Sequence, residues 1–167
     1  MTAAVAQRPR RTTRGAQATA SKQRLRLWLR LLRVARAIES ELRERLRLTF
    51  AITLPQFDVM AALARKPDGM KMTELSRFLM VSNGNVTGII DRLVADGLVA
   101  REATAGDRRS VRVRLTDKGV ARFDDMAGAH ERWIDHLLSE FNKAEAEVLI
   151  SHFDGLAERI REGGLRP

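Results

Sequence analysis

The chain has 167 residues, 44% of them apolar and 31% charged, enough for one domain with a real core. It contains no cysteine, which excludes disulfides, thiolate metal sites and thiol redox sensing, and it has neither a long uncharged apolar run nor an apolar leader, so a cytoplasmic protein is expected. The net charge of +9 is uneven, because residues 1–50 carry 13 basic against 3 acidic groups while residues 51–167 carry 17 against 18.

Residues 1–20 are rich in Ala, Thr, Arg and Gln and have no apolar period, which predicts a disordered basic tail. Its Arg8, Arg10, Arg11 and Arg14 suit either a flexible arm on phosphates or a solvated tail. From Ser21 to about Leu48 the spacing predicts one long helix, capped by Ser21, with Leu25, Trp28, Leu29, Leu32, Ala35, Ile38, Leu42 and Leu46 on one stripe. Such a helix is too long to be covered by its own small domain and needs a partner. Arg26, Arg30, Arg33 and Arg36 line its other side with no acid before Glu39. Like charges so arranged repel one another. They are either a solvated face or an anion site, for DNA backbone or for a phosphate-bearing effector.

Thr53 and Gln56 have the spacing of a capping box, with Pro55 in the tolerated first turn and Phe57, Met60, Ala61, Leu63 and Ala64 on the apolar face of a second helix. Lys66 to Gly69 reads as a turn. Thr73 is expected to cap a third helix with Leu75, Phe78 and Leu79 buried, and Met80-Val81-Ser82 turns the chain into a fourth. That helix opens at Ser82 and buries Val86, Ile89, Ile90, Leu93 and Val94 at 3.6-residue spacing until Gly97 ends it. Its opposite face offers Asn83, Asn85, Thr87 and Arg92, short amide, hydroxyl and guanidinium groups suited to base edges, with Gly84 and Gly88 keeping the surface low. Helices three and four together read as a helix-turn-helix. Leu98 to Arg101, a polar tip at Gly106-Asp107-Arg108-Arg109, and Val111, Val113 and Leu115 alternating with Arg112, Arg114 and Thr116 predict a hairpin. Two arginines at such a tip suit a narrow minor groove.

Thr116 caps a fifth helix to about Glu140 carrying Val120, Phe123, Met126, Ala127, Trp133, Ile134, Leu137 and Leu138. Asn142 with Glu145 caps a sixth, with Val148, Leu149, Phe153, Leu156 and Ile160, closed by Gly163-Gly164.

The serine-led fourth helix, the G-L-V-x-R exit at Gly97 to Arg101, the D-x-R tip at Asp107 and Arg109 and the L-T-x-K-G at Leu115 to Gly119 resemble, in that order, the MarR family of winged helix-turn-helix regulators. The resemblance covers roughly residues 21–162. It implies a mainly α, α+β winged-helix fold in which residues 51–116 bind DNA, and residues 21–50 and 117–162 form a helical layer interleaved with that of a second subunit. By resemblance Asp107 orients Arg109 through an ion pair. Asn83, Asn85 and Thr87 are the expected base readers, Ser82 and Arg92 position the helix, and Arg109, supported by Arg108, enters the minor groove. A two-fold dimer places two such helices in successive major grooves only when they stand about 34–36 Å apart, so the operator should be a pseudo-palindrome.

Members of the family commonly repress genes for degrading or exporting aromatic compounds, and release DNA when an effector binds where helices one, two and five meet. Trp28, Phe50, Phe57, Met60 and Phe123 are the candidates to line such a site, although each such residue is more often plain core. The arginine face of the first helix and a further similarity to the hydroxycinnamoyl-CoA-responsive branch point to an aromatic acid or its CoA thioester, such as p-coumaroyl-CoA. The competing reading is a constitutive or architectural DNA-binding dimer with no small-molecule input. No cofactor or metal is expected, since His130, His136 and His152 do not stand at ligand spacing and read as surface or interface residues. Neither a nucleotide loop nor a nucleophile motif appears, so the chain is not expected to be an enzyme.

Overall fold

A computed structural model describes residues 13–104 and 107–163, and the side chains at 13–18, 83, 103–104 and 107–110 lie outside that description. The described residues form helix α1 Thr13–Phe50, α2 Leu54–Ala64, strand β1 Met70–Lys71, α3 Met72–Leu79, α4 Asn83–Ala95, β2 Val99–Thr104, β3 Asp107–Leu115, α5 Asp117–Leu137 and α6 Lys143–Gly163. This is the mainly helical α+β class that the resemblance implies. Two compact units divide between Glu44 and Arg45.

In the first unit α1 begins at Thr13, eight residues before the expected start, so residues 13–20 are helical and not a disordered tail. Ala16, Gln17, Ala18 and Ala20 are strong helix formers, and propensity here prevails over the missing apolar period. Ser21 is therefore an interior residue and not the cap. Arg8, Arg10 and Arg11 lie outside the described residues. Leu25, Trp28 and Leu29 are each more than half exposed. Arg26, Arg30, Arg33 and Arg36 are exposed as well, and the first acid on the helix, Glu39, pairs with Arg43 one turn on at 2.5 Å.

The second unit is built on α2, which packs against α3, α4, α5 and β3. Its entry is the expected capping box: the Thr53 N–H donates to Gln56 Oε1 at 2.9 Å and the Gln56 N–H to Thr53 Oγ1 at 3.4 Å. Phe57, Val59, Met60 and Leu63 then meet Leu75, Val86, Ile90, Leu93, Val113 and Met126 in one buried cluster. Helix α5 packs on α2 and β3 with Met126 and Ala129 buried, so its first half contributes to this core.

Several boundaries differ from the expected ones. The cap of α3 is Lys71, not Thr73, and its N–H is taken by the Glu74 carboxylate at 2.9 Å. Just before it lies β1, which pairs antiparallel with β3 through Met70 and Val113 and gives the sheet its order β1-β3-β2. A two-residue strand has no periodicity to read. Leu75 is buried as expected, but Phe78 is 51% exposed and lies under the Arg65 guanidinium, 5.9 Å from its ring centre. Helix α5 ends at Leu137, short of Glu140.

Helix α6 has its capping box, Asn142 N–H to Glu145 Oε2 at 3.0 Å and Glu145 N–H to Asn142 Oδ1 at 3.1 Å, and ends at Gly163; Gly164 lies outside the described residues. It buries no side chain, and Val148, Ile150, Phe153, Leu156 and Ile160 are all exposed. The expected apolar stripe is present on it, and among the described residues none buries it, Leu149 alone being partly covered. Among the described residues no single helix is long and apolar enough to cross a membrane.

Candidate nucleic-acid interface

Helix α4 is set by its own sequence at both ends. Ser82 stands in extended conformation and its Oγ accepts the Asn85 N–H at 3.4 Å. At the other end Gly97 takes φ 70, its N–H donates to the Val94 carbonyl at 2.9 Å and the Leu98 N–H to the Leu93 carbonyl at 2.9 Å, a Schellman motif that satisfies the last carbonyls. Between them Val86, Ile90 and Leu93 are fully buried and Ile89 and Val94 partly so. The face turned outward carries two rows at helical spacing, Gly84-Thr87-Asp91 and Asn85-Gly88-Arg92, all exposed. A Cβ at Gly84 or Gly88 would meet nothing within 4 Å, so these glycines answer no internal packing need and leave a low surface. The structure thus brings Ser82, Asn85, Thr87 and Arg92 onto one helix at one surface. The side chain of Asn83 lies outside the described residues.

The hairpin follows directly. Strand β2 pairs with β3 from Val99 opposite Leu115 to Ala103 opposite Val111, with a bulge between Ala103 and Thr104. Val113 and Leu115 face the core, whereas Val111 is 38% exposed, so the alternation fades toward the tip. The side chains of Asp107, Arg108 and Arg109 lie outside the described residues, as does Gly106; the strand places their backbone at the end of the hairpin remote from the core.

Three of the five hairpin arginines have structural partners that spacing did not reveal. Arg101 pairs with Asp91 of α4 at 2.5 Å, joining wing to helix. Arg114 pairs with Glu102 across the strands at 2.5 Å, and Arg112 donates to the Gly69 carbonyl at 3.0 Å, fastening the wing to the turn before β1. These ion pairs are largely exposed and contribute orientation more than stability. The base of the wing is closed by backbone: the Thr116 hydroxyl donates to the Gly97 carbonyl at 2.8 Å while accepting the Gly119 N–H at 3.0 Å, and Lys118 Nζ donates to the Asp96 carbonyl at 2.8 Å. The end of α4, both wing strands and the start of α5 therefore meet in one joint.

Of the residues singled out for an effector, the structure gathers Phe50, Phe57, Met60 and Phe123 in the second unit. Phe57 and Met60 are buried, and Phe50 and Phe123 are packed against the same core. Phe57 lies 5.7 Å from Phe123, and Phe50 lies 6.1 Å from Trp133. Arg122 donates to the Phe50 carbonyl at 2.8 Å with its guanidinium 5.1 Å from the Phe50 ring centre, and Arg45 lies over Trp133 at 5.9 Å. Arg122, Trp133 and His130 were not among the expected site residues. Spacing along α5 gives no signal for them, since the ring that each meets comes from another helix. Trp28, Arg26, Arg30, Arg33 and Arg36 belong to the first unit and are exposed there.

His130 is half-buried and stacks on Phe57, 4.8 Å between ring centres, a contact that spacing did not reveal. Burial holds its pKa below the usual histidine value. As pH falls through about 6.5 the unfolded chain takes up the proton first, so stability is full above that pH and declines below it toward the folded value. The melting temperature should therefore fall between about pH 7.5 and 5.5, and fall less in His130→Gln; equal slopes in the two proteins would remove His130 from the pH dependence. His136 and His152 are exposed, in keeping with their expected place.

Comparison with known proteins places this geometry in a wider set. Residues 52–110 match a MarR family model. The chain is 30% identical over 115 residues to the HTH-type transcriptional regulator PecS of Dickeya dadantii, covering 68% of this chain and 67% of that one. It superposes with a TM-score of 0.70 and 34% identity on the crystal structure of a MarR family transcriptional regulator from Silicibacter pomeroyi, covering 84% of this chain and 97% of that one. A mutant MarR from E. coli complexed with operator DNA matches with a TM-score of 0.70 and 25% identity over 80% of this chain and 95% of that one.

Proposed function

Since this chain belongs to the MarR family of transcriptional regulators, whose members bind DNA and are not enzymes, we propose that it is a homodimeric repressor of a pseudo-palindromic operator, released by an aromatic effector. The observation that carries the DNA-binding part is α4 itself, capped at Ser82, buried along Val86, Ile90 and Leu93, and pinned to the wing through Arg101 and Asp91 so that Asn85, Thr87 and Arg92 face outward from a rigid base. Base edges are read by Asn83, Asn85 and Thr87, with Arg92 on the backbone. Arg109, oriented by Asp107 and supported by Arg108, enters the minor groove. The second subunit covers the apolar faces of α1 and α6: Leu25, Trp28 and Leu29 on one, Val148, Phe153 and Leu156 on the other, all too exposed for a stable monomer.

The effector in this reading is an aromatic acid or its CoA thioester, p-coumaroyl-CoA being the probe of choice. Rings for its aryl group are supplied around Phe50, Phe57 and Phe123, with Met60 in the same core and the Arg122 guanidinium beside Phe50. Arg26, Arg30, Arg33 and Arg36 supply the cations that three phosphates require, which a free acid does not. An effector that weakens operator binding tenfold to a hundredfold needs about 1.4–2.7 kcal/mol of preference for the released state.

Fluorescence anisotropy of the dimer on its operator, with p-coumaroyl-CoA and separately with p-coumarate, tests this. Release by the thioester, abolished in the triple variant Arg26→Ala, Arg30→Ala, Arg33→Ala, is the expected result. Release by the acid alone would leave those arginines without an effector role. Indifference to both ligands, with a steep salt dependence lost in the triple variant, would turn the chain into a constitutive DNA-binding dimer.

A further inference from the structure

The turn between α3 and α4 holds a strained residue that nothing inside the chain needs. Helix α3 ends in a Schellman arrangement, the Val81 N–H donating to the Ser76 carbonyl at 3.1 Å and the Met80 N–H to the Arg77 carbonyl at 3.3 Å. That arrangement requires one left-handed residue, a place glycine usually takes. Here it is Met80, at φ 53 and ψ 37. An L side chain in this conformation crowds the following carbonyl and persists where something else selects for it. Packing does not select for it, because Met80 is 90% exposed and Val81 beside it 40% exposed. Glycine would make the same turn without strain and without an apolar side chain in water. The two residues lead directly into Ser82, the cap of α4, and so stand beside the end of the helix from which Asn85 projects.

We propose that Met80, with Val81 next to it, is a specificity contact that reads the C5-methyl groups of thymines in the major groove. This rests on the operator binding proposed above and extends it to a base feature that amide groups such as Asn85 do not recognise. The thymine methyl is the apolar feature of the groove, and recognition helices meet base edges at their N-terminal end. An unbranched thioether adapts its shape to such a target better than a branched side chain does. The left-handed backbone holds that side chain outside the core, where DNA can reach it.

The test uses the full chain and a duplex it selects from a random-sequence library. Thymines of that duplex are replaced one at a time by deoxyuridine, which keeps the pairing and hydrogen-bonding edges and removes only the methyl group. The wild-type protein should lose affinity about fourfold at one or two thymines in each half-site, the worth of one buried methyl. Met80→Gly should bind thymine and deoxyuridine duplexes alike at those positions, while melting about 2 °C or more above wild type as the strain is relieved. Met80→Leu should keep the discrimination. Equal affinity of the wild-type protein for thymine and deoxyuridine at every position would overturn the inference, as would undiminished discrimination in Met80→Gly or a lower melting temperature for it. The first of these needs no variant to fold. If the full chain selects no DNA sequence at all, operator binding itself fails; selection of a duplex indifferent to methyl removal sinks only the role of Met80.

Discussion

Gly119→Ala is expected to melt about 6–12 °C below the wild-type chain, the largest effect expected of alanine among the described glycines. A Cβ on Gly119 would lie 1.9 Å from the Leu98 carbonyl oxygen and 2.9 Å from its carbon, and both are backbone atoms that no rotamer change can move aside. The same carbonyl accepts the Thr116 N–H at 3.1 Å, so displacing it opens the joint where α4, the wing and α5 meet. Overpacking against backbone at a buried joint costs about 3 kcal/mol or more. The control is Gly97→Ala. There a Cβ would meet only Lys118 Nζ at 3.8 Å, and the penalty is that of φ 70 alone, about 1–2 kcal/mol. Circular dichroism melts of the two variants separate the cases, and a Gly119→Ala protein as stable as Gly97→Ala would show that α5 does not approach Leu98 so closely.

Asn85→Ala should weaken operator binding sharply while leaving the fold intact. The side chain is exposed on α4, and the contact that Asn85 makes with the Ser82 cap comes from its backbone N–H, which alanine retains. Alanine is also the better helix former, so the melting temperature should hold or rise slightly. A bidentate amide contact with a base is worth about 1–3 kcal/mol, and a two-fold complex contains it twice. Operator affinity should therefore fall between about 30-fold and about 25,000-fold, with non-specific binding and its salt dependence unchanged. Measured by anisotropy at fixed ionic strength, a loss below about threefold would take Asn85 out of base reading and leave the task to Asn83 and Thr87.

How far the site was legible in advance depends on the range over which each interaction acts. The caps at Thr53, Ser82, Thr116 and Asn142 were readable because a side-chain oxygen and an N–H three residues on are already neighbours in sequence. The buried row of α4 and the pairing of the wing were readable for the same reason, through periods of 3.6 and 2. The start of α1 at Thr13 went unread because the alanine-rich segment is helical by propensity and has no apolar face to betray it. The cap at Lys71 went unread because an acid at Glu74, and not a side chain at the cap itself, does the work. Phe78 has the right spacing to be buried and is not, since the surface it faces in this chain is solvent and the Arg65 guanidinium.

By itself the sequence determined the order of helices, the position of the recognition helix between Ser82 and Gly97, the hairpin after it and the family motifs that identify the architecture. All of these rest on interactions within a few residues, whose geometry follows from backbone periodicity. Tertiary structure decided which arginines serve the fold: Arg112 reaches Gly69, 43 residues away, and Arg101 reaches Asp91. It also decided that His130 stacks on Phe57, that Gly119 must be glycine, and that Met80 stands strained and exposed beside the cap of α4. The physical reason is common to them all, since contact between segments distant in sequence depends on how helices and sheet pack, and no spacing rule along the chain encodes that distance.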